Sequence, residues 1–485
     1  MKKLEGIEPA AVLSHFEEIC SIPHGSRDTK RISDHLKAFA DSLGLRCIQD
    51  ELNNIIIFKS GSPGRENEEP VILQGHMDMV CEKEADSDID FSTDGLRLTV
   101  DNGILSADGT TLGGDDGIAL AYCMAILESD SISHPPLEVI FTVDEEIGME
   151  GAHALDTTPL KGKRLINLDS EEEGHLLAGC AGGALGVLRI PYDTVPAEKD
   201  SLPIKLQISG LLGGHSGTEI DKGRANANTL MGRLLYLLNK EFPISLVKIS
   251  GGTKDNAIPR ECTAIITLNS NCLNDSFTQT VNKLGRIFKS EFSVTDPELS
   301  VNVEFLTDYK ADFAISEKHS KRIISALLLT PNGVQSMCQD FPDLVETSLN
   351  LGIVNTVAGE VTMSYCLRSS VDTKKGELMF KLECLAIQLK ASLSFSGNYP
   401  AWQYKKDSPL RNTMISVFKQ LYGNSPIVES MHAGVECGLF ESKIDGLDTI
   451  SIGPDMKDVH TPNESLDLES VKRTWDYLLK VLEAL

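Results

Sequence analysis

The chain has 485 residues, 41% of them hydrophobic, and its 71 acidic residues exceed its 45 lysines and arginines, so the formal net charge is −26. This negative charge excludes nucleic acid and anionic membrane surfaces as expected partners. No run approaches the roughly 18 uninterrupted apolar residues of a membrane span, and acidic residues follow Met1-Lys-Lys, so we expect neither a membrane segment nor a secretory signal.

The first part of the chain, residues 1–187, alternates helical periodicity with short apolar runs rich in Ile, Val and Leu. The helical stretches are 8–20, 28–43 and 117–129, and the apolar runs are 54–58, 71–74, 138–143 and 164–168. This alternation predicts βαβ units and an α/β domain with a mostly parallel sheet. Ligands of such sheets gather beyond the carboxyl ends of the strands.

The pattern changes in residues 188–397, where strands alternate with amphipathic helices in an α+β texture. Two segments, 262–305 and 361–395, share a strand, helix, strand order and suggest a duplicated unit. Residues 398–485 return to α/β texture. We therefore predict one α/β domain formed by 1–187 and 398–485, with the α+β domain 188–397 inserted into it.

The eleven cysteines show no CxxC pair and no regular spacing. An odd number of scattered cysteines is typical of reduced thiols in the cytoplasm. We therefore expect a cytoplasmic protein.

His76 and Asp78 follow the apolar run 71–74 and are separated by one residue. On an extended chain they share a face, and a carboxylate beside an imidazole fixes its tautomer and raises its basicity as a metal ligand. The alternative is an ordinary surface histidine and aspartate.

Asp144, Glu145 and Glu146 follow the run 138–143. Three consecutive carboxylates repel one another unless a cation or a retained proton relieves them. Because adjacent side chains diverge, one can bind a metal while its neighbour faces a water. A solvated acidic loop is the alternative interpretation.

Three further candidates are weak on their own. Asp115 and Asp116 lie in a Gly-rich loop before a helix, Asp169 ends the run 164–168, and His460 lies about 290 residues downstream of Asp169. Turns are commonly built from Gly and Asp, and an isolated loop histidine is seldom a ligand. The conjunction of all these motifs predicts a two-metal hydrolase.

The chain resembles the M20 metallopeptidase family, in particular its aminoacyl-histidine dipeptidase branch. The matching motifs span essentially the whole sequence and occur in the family's order. They are Leu73-Gln-Gly-His-Met-Asp-Met-Val, Thr110-Thr-Leu-Gly-Gly-Asp-Asp-Gly, Thr142-Val-Asp-Glu-Glu-Ile-Gly-Met, Asn167-Leu-Asp-Ser-Glu, Gly213-Gly-His-Ser-Gly and His432-Ala-Gly-Val-Glu-Cys-Gly.

The resemblance implies a zinc-peptidase catalytic domain with an inserted lid and a co-catalytic pair of Zn²⁺ ions, for which Co²⁺ or Mn²⁺ are alternatives. Asp115 would bridge the ions, His76 and Asp169 would complete one site, and Glu146 and His460 the other. Asp78 would clamp the His76 ring. Glu145 would be the general base that deprotonates the attacking water and then protonates the leaving amine.

The resemblance also implies substrate-binding residues, namely His215, Asn256, Arg260, Arg368, His432 and Glu436. His215 would stabilise the tetrahedral oxyanion. Either arginine could bind the C-terminal carboxylate of a peptide, or instead form a structural salt bridge. His432 and Glu436 would lie near the active site.

The sequence departs from the family pattern at the bridging motif, where Gly114 and Asp116 replace the more frequent Ala and Asn. The extra acid could change metal affinity. The inserted domain is also long. We expect a homodimer, or a monomer if a duplicated lid replaces the missing subunit.

The predicted activity is hydrolysis of unblocked dipeptides, with Xaa-His dipeptides resembling carnosine among the substrates. An N-acyl amino acid deacylase or a tripeptidase would use the same metals. A non-catalytic metal-binding protein is a further alternative, but it would be expected to lack Glu145 or a ligand, and all are present.

Overall fold

The computed structural model describes residues 3–269 and 275–485. The chain divides into two compact units. Unit 1 comprises Met1–Cys180, Trp402–Ser430 and Val435–Leu485, and unit 2 comprises Ala181–Ala401 and Met431–Gly434. These boundaries lie a few residues from the predicted ones, and the short piece Met431–Gly434 has no counterpart in the prediction.

Helices and strands are numbered in chain order. The helices are α1 (Ala10–Cys20), α2 (Lys30–Ser42), α3 (Gly114–Glu128), α4 (Glu150–Ala154), α5 (Ala227–Glu241), α6 (Asp275–Glu291), α7 (Glu317–Leu329), α8 (Asp372–Leu389), α9 (Pro409–Tyr422), α10 (Cys437–Lys443) and α11 (Leu468–Ala484). The strands are β1 (Arg46–Gln49), β2 (Ile55–Lys59), β3 (Val71–His76), β4 (Leu98–Asp101), β5 (Ile104–Ala107), β6 (Leu137–Thr142), β7 (Arg164–Asn167), β8 (His175–Cys180), β9 (Gly182–Pro191), β10 (Thr194–Pro196), β11 (Ser201–Ser209), β12 (Gly214–His215), β13 (Ser245–Gly251), β14 (Ala257–Ile258), β15 (Cys262–Asn269), β16 (Ser300–Phe305), β17 (Phe313–Ile315), β18 (Gly333–Met337), β19 (Val345–Val357), β20 (Glu360–Ser369), β21 (Ser392–Tyr399), β22 (Ile427–Met431), β23 (Asp448–Ser451), β24 (Met456–Lys457) and β25 (Ser465–Asp467).

The main sheet of unit 1 has eight strands in the order β1-β2-β6-β3-β7-β23-β8-β22. Strands β6, β3, β7 and β23 pair in parallel, and antiparallel strands flank them. Strands β3 and β6 are buried along their whole length, as expected of parallel strands covered on both faces. The predicted mostly parallel sheet is confirmed for these central strands.

Helix α3 is the central helix of unit 1. Its side chains are buried on every face, which matches its lack of a polar stripe. The hydroxyl of Tyr122 donates to the carbonyl of Val471 in α11 at 2.9 Å. Helix α11 is capped by Asp467, whose carboxylate accepts from the backbone N–H groups of Glu469 and Ser470. These two helices belong to one hydrophobic core.

A small second sheet in unit 1 has the order β24-β25-β5-β4. Strands β24 and β25 form an antiparallel pair around the loop 458–464. Strand β25 pairs with β5, with Leu466 opposite Leu105. The sheet therefore holds the loop 458–464 beside the chain that leaves β5 and enters α3.

Unit 2 has a separate hydrophobic core and a nine-stranded sheet. The main path of this sheet is β16-β11-β15-β13-β19-β20-β9-β21. Counted inward from one edge, the strands are β16, β11, β15 and β13, and counted inward from the other edge they are β21, β9, β20 and β19. Each strand of the first series corresponds to the strand at the same place in the second. The duplicated α+β unit that the sequence suggests would produce this arrangement, and the duplication remains a prediction. Of the described helices, none is long and apolar enough to cross a membrane.

Candidate active site

The carboxyl ends of three adjacent parallel strands carry most of the predicted site residues. Strand β3 ends at His76, β6 is followed by Glu145 and Glu146, and β7 is followed by Asp169. Because β6, β3 and β7 are neighbours in the sheet, their carboxyl ends lie side by side. The fold thus gathers side chains that are far apart in the sequence.

Asp115 reaches the site from the loop before α3. Gly113 has a left-handed backbone with φ of 66°, and a Cβ at that position would lie 3.0 Å from the sulfur of Met79. Asp115 itself has φ −83° and ψ 102°, so its backbone is not yet helical. The peptide between Asp115 and Asp116 is cis. A glycine is required where the chain turns before Asp115.

His460 lies in the loop between β24 and β25 and has a positive φ of 64°. Its Nε2 atom lies 3.1 Å from Oδ2 of Asp115. The Nε2 atom of His76 lies 3.0 Å from the other oxygen, Oδ1, of the same carboxylate. Asp115 therefore presents one oxygen to each imidazole, which is the arrangement of a bridging carboxylate.

Two more carboxylates complete the group. Oε1 of Glu146 lies 2.8 Å from His460 Nε2, and Oδ1 of Asp169 lies 3.4 Å from His76 Nε2. The potential ligand atoms of His76, Asp115 and Glu146 lie within 4.8 Å of one another. All five predicted metal ligands are thus brought together within unit 1.

The chemistry of this group fits divalent cations. Its donor atoms are imidazole nitrogens and carboxylate oxygens, the ligands that Zn²⁺, Co²⁺ and Mn²⁺ take in proteins. Hydrogen bonds from the imidazole to the carboxylates of Asp115 and Glu146 raise the pKa of His460 to about 11. Burial alone would lower the pKa of His76, but the surrounding carboxylates outweigh it and hold this pKa well above its ordinary value. The donor atoms thus surround a point where positive charge is strongly stabilised.

Asp78 lies beside the His76 ring. The Nδ1 atom of His76 lies 2.9 Å from the backbone carbonyl of Asp78 and 3.5 Å from its carboxylate, so both groups of Asp78 contact the ring. The Asp78 carboxylate accepts from the backbone N–H groups of Glu145 and Glu146 at 3.1 and 3.4 Å. The Ser26 hydroxyl donates to it at 2.9 Å. Asp78 therefore orients the turn that carries Glu145 and Glu146.

Glu145 is half-buried, and in the part of the chain that the structure describes its carboxylate makes no hydrogen bond. Burial raises the pKa of this carboxyl well above its ordinary value, and the carboxylates of Asp169, Glu436 and Glu146 add to the shift. His76 opposes it. A carboxylate with these properties accepts a proton readily.

Asp116, the extra acid of the bridging motif, is fully buried. One of its oxygens accepts from the backbone N–H of His76 at 3.1 Å, and the other has no partner among the described residues. A potential ligand atom of Asp116 lies within 4.8 Å of those of His76 and Asp169. Burial and the charge of Asp169 raise the pKa of Asp116 well above its ordinary value.

Glu436 lies beneath the strands, and it is fully buried. Its carboxyl accepts from the Gln74 side chain at 2.5 Å and from the Thr142 hydroxyl at 2.6 Å. Asn167 donates to the other end of the Gln74 amide at 2.6 Å. This placement leaves Glu436 no accessible surface for the substrate contact that was predicted, and it links β3, β6 and β7 just before the ligands.

The polar chain of Gln74, Thr142 and Asn167 was not predicted from the sequence. A signal for it exists, since Gln74, Thr142 and Asn167 are polar residues near the carboxyl ends of the mainly apolar runs 71–74, 138–143 and 164–168. Buried polar groups in strands need hydrogen-bond partners, so such residues indicate a network.

A second cluster of predicted residues lies within unit 2, around Gly217. A Cβ at Gly217 would lie 2.7 Å from the carbonyl of His432, 2.9 Å from the ring of His215 and 3.2 Å from Nε of Arg368. The absence of a side chain at Gly217 therefore allows these three basic residues to approach one another.

The hydrogen bonds of His215 assign its tautomer. The backbone N–H groups of Gly217 and Thr218 donate to Nδ1 of the ring at 3.3 and 3.2 Å. Burial and the charge of Arg368 lower the pKa of His215, so the ring is neutral and Nε2 carries the proton. Nε2 is thus a hydrogen-bond donor.

Arg368 and His432 are both buried. Arg368 donates to the Tyr399 hydroxyl at 3.3 Å, and its Nε has no partner among the described residues. Nε2 of His432 lies 2.7 Å from the Ser348 hydroxyl. Burial, then the charges of Arg368 and His215, lower the pKa of His432 to about 3. A buried guanidinium with an unused donor is suited to bind an anion.

Asn256 and Arg260 are exposed and differ from this cluster in their contacts. The Asn256 carbonyl accepts from the backbone N–H of Ser216 at 2.8 Å. Arg260 donates from Nε to the carbonyl of Leu211 at 3.2 Å. Both contacts hold the loop that carries His215, and of the two candidate arginines only Arg368 belongs to the basic cluster.

Comparisons with known proteins agree with the site. Residues 72–484 match the model of peptidase family M20/M25/M40. The chain is 36% identical over 485 residues to the cytosol non-specific dipeptidase of Escherichia coli (strain K12), covering 100% of this chain and 99% of that protein.

Two solved structures extend the comparison. The aminoacylhistidine dipeptidase of Vibrio alginolyticus superposes with a TM-score of 0.92 at 35% identity, over 99% of this chain and 98% of that one. A tripeptidase of Staphylococcus aureus has a TM-score of 0.56 at 16% identity, over 98% of each chain, and shows a shared fold. The predicted family and the predicted metallopeptidase class are confirmed. The chain belongs to peptidase family M20/M25/M40.

Proposed function

We propose that this protein is a dipeptidase with two metal ions that hydrolyses unblocked dipeptides, Xaa-His dipeptides among them. The observation that carries the proposal is the position of the Asp115 carboxylate, whose two oxygens lie 3.0 and 3.1 Å from two different imidazoles. The names of the E. coli and V. alginolyticus relatives support a dipeptide substrate.

Zn²⁺ is the proposed metal. Asp115 would bridge the two ions, His76 and Asp169 would hold one of them, and Glu146 and His460 the other. When bound, such ions polarise the scissile carbonyl and lower the pKa of the attacking water. The contact between Asp115 and each histidine supports this assignment.

Glu145 is the proposed general base. Its carboxylate takes a proton from the attacking water and gives it to the nitrogen of the leaving amine, which balances the hydrolysis. Asp78 supports this role because its carboxylate holds the backbone of Glu145 and Glu146. The turn therefore fixes the positions of the proposed base, Glu145, and the proposed ligand, Glu146, relative to each other.

The basic cluster of unit 2 is the proposed binding site for substrate charge. The guanidinium of Arg368 would pair with the C-terminal carboxylate, since its Nε has no partner among the described residues and a guanidinium binds a carboxylate through two parallel bonds. The Nε2–H of His215 would donate to the oxyanion. His432, whose pKa is lowered by burial, would stay neutral beside Arg368. Asn256 and Arg260 would support the His215 loop.

The location and assembly are also inferred. We place the protein in the cytoplasm because its E. coli relative is named a cytosol dipeptidase. We propose a homodimer, or a monomer if the matching strand order in the two halves of the unit 2 sheet reflects a duplicated lid. Sedimentation equilibrium distinguishes these masses.

A hydrolysis panel on metal-reconstituted protein tests the activity. The substrates are Ala-His, β-Ala-His, Leu-Gly, a tripeptide and an N-acetyl amino acid, each with and without a chelator. We expect cleavage of the dipeptides that the chelator abolishes. Preferential cleavage of the N-acetyl amino acid would identify a deacylase instead, and preferential cleavage of the tripeptide a tripeptidase.

A further inference from the structure

A buried carboxylate outside the ligand group holds the loop of Asp115. Glu464 is 2% exposed, and its two oxygens accept from four consecutive backbone N–H groups. The distances are 2.7 Å to Leu112, 3.1 Å to Gly113, 2.8 Å to Gly114 and 3.3 Å to Asp115. Both oxygens are therefore fully used, and Glu464 is not itself a ligand.

Within residues 3–269 and 275–485, these four N–H groups have no second hydrogen-bond acceptor. They lie at the start of α3, where helices leave their first N–H groups without an intrahelical partner. A local Ser, Thr, Asp or Asn usually accepts from them, but Gly113 at the cap position has no side chain. Glu464, 352 residues from Leu112 in sequence, supplies the missing acceptor. Charge-assisted bonds of this kind are stronger than neutral ones.

Glu464 also lies close in sequence to the second imidazole of the site. His460 is four residues before it, and β25 begins at the next residue, Ser465. Strand β25 pairs with β5, which leads into the Asp115 loop. The same small sheet thus carries both loops, and the Glu464 carboxylate joins them by hydrogen bonds to the backbone of residues 112–115.

We infer that Glu464 is a positioning residue that sets the distance between the Asp115 carboxylate and the His460 imidazole, and through it the affinity for the second metal ion. The inference rests on the proposed two-metal site. Without the Glu464 carboxylate, the backbone of Asp115 loses its connection to the loop of His460. His76 and Asp169 lie on strand ends and do not depend on this connection.

Glu138 provides a matched control in the same unit. It is 4% exposed, and its carboxylate accepts from the backbone N–H groups of Lys161 and Gly162 at 2.9 Å. The loop that it holds carries none of the proposed ligands. Glu138→Gln therefore changes a buried carboxylate of the same type without touching the proposed metal site.

The test is a calorimetric titration of chelator-treated protein with Zn²⁺. In Glu464→Gln an NH₂ group replaces one oxygen and faces two N–H donors. We expect wild type and Glu138→Gln to bind two ions with similar affinities. We expect Glu464→Gln to bind both ions more weakly because they share Asp115, with the larger loss, about 10- to 100-fold, at the ion that His460 would hold, the range found when residues that orient ligands are changed.

Turnover gives a second measurement. We expect the kcat of Glu464→Gln to fall at limiting Zn²⁺ and to recover as Zn²⁺ is raised, with KM unchanged. An irreversibly misfolded fraction would instead leave the apparent kcat low at saturating Zn²⁺. If Glu464→Gln does not fold, Glu464→Asp, which keeps the charge on a shorter side chain, is expected to show the same weakening to a smaller extent.

Two results distinguish failure of the inference about Glu464 from failure of the proposed two-metal function. Normal affinity for both ions in the Glu464 variants, with wild type binding two, overturns this inference alone. Binding of fewer than two ions by wild type overturns the proposed two-metal function, and this inference with it.

Discussion

The two units hold clusters of opposite character. In unit 1, carboxylates outnumber the imidazoles that they surround, as with Asp115, Glu146 and Asp169 around His76 and His460. In unit 2, Arg368, His215 and His432 lie together, and within 3–269 and 275–485 Arg368 forms no salt bridge. One cluster stabilises positive charge and the other stabilises negative charge.

The two clusters are suited to different steps of the reaction. A carboxylate cluster binds cations that activate water, so its residues should affect kcat. In the unit 2 cluster, Arg368 would bind the substrate carboxylate equally in the ground state and the transition state, so Arg368 should affect KM, whereas His215 would donate to the oxyanion and should affect kcat. The kinetic parameter that changes therefore identifies the role of each residue.

The largest effect is expected at the base. Glu145→Gln keeps the shape of the side chain but cannot accept the proton, so kcat should fall about 10²- to 10⁴-fold with the metal content unchanged. Steady-state kinetics with Ala-His and metal analysis of the same sample measure both. Normal turnover by the variant would exclude Glu145 as the base.

The next effect is expected at Arg368. Arg368→Met removes the proposed partner of the substrate carboxylate, and kcat/KM for Ala-His should fall roughly 10²-fold, mainly through KM. The variant should also lose the preference for Ala-His over Ala-His amide, which lacks the carboxylate. Arg189→Met, which removes a half-exposed arginine of β9 in the same sheet, is the control. A preference for the free carboxylate that survives in Arg368→Met would contradict the assignment.

A buried carboxyl of unit 1, Glu436, and a buried imidazole of unit 2, His432, should make stability depend on pH in opposite directions. Burial raises the pKa of Glu436 from 4.5 to about 8. The folded state therefore holds this proton more tightly than the unfolded state, and stability falls as pH rises from 4.5 to 8. In chelator-treated protein, the free energy of unfolding should decrease by about 4 kcal/mol less in Glu436→Gln than in wild type between pH 5 and pH 8.5. Urea unfolding at the two pH values measures this difference. An identical pH dependence in both proteins would show that Glu436 ionises normally.

The smallest effect is expected at His432. Its pKa is lowered from 6.5 to about 3, so the unfolded state binds a proton more readily than the folded state between these values. Stability should then fall as pH decreases below 6.5. Between pH 6.5 and pH 4.5 the free energy of unfolding should decrease by about 2 kcal/mol less in His432→Gln than in wild type. The same unfolding experiment measures this difference. A ¹H NMR titration of the wild-type imidazole near pH 6.5 would contradict the prediction.

The sequence predicted much of the fold and the ligand group because the signals are local. Asp169 directly follows an apolar run, His76 and Glu146 lie two and three residues beyond the ends of theirs, and strand ends are where ligands gather. The alternation of runs and helices was likewise enough to predict the parallel strands at the centre of the unit 1 sheet.

Other contacts could not be predicted because they join residues that lie far apart in the sequence. Glu464 and Leu112 are separated by 352 residues, and Glu436 and Gln74 by 362. No local pattern distinguishes these acids from solvated ones. The additional contact of the Asp78 backbone carbonyl with the His76 ring was not predicted because its distance depends on backbone conformation, which residue spacing does not specify.

The position of β23 in the main sheet of unit 1 has a consequence for biosynthesis. This strand, Asp448–Ser451, lies between β7 and β8, which precede it by more than 250 residues. On the ribosome, β7 and β8 emerge long before the strand that separates them, so their facing edges stay open until residues 448–451 have been synthesised. A chain released before Asp448 would expose unpaired strand edges, which are prone to aggregate.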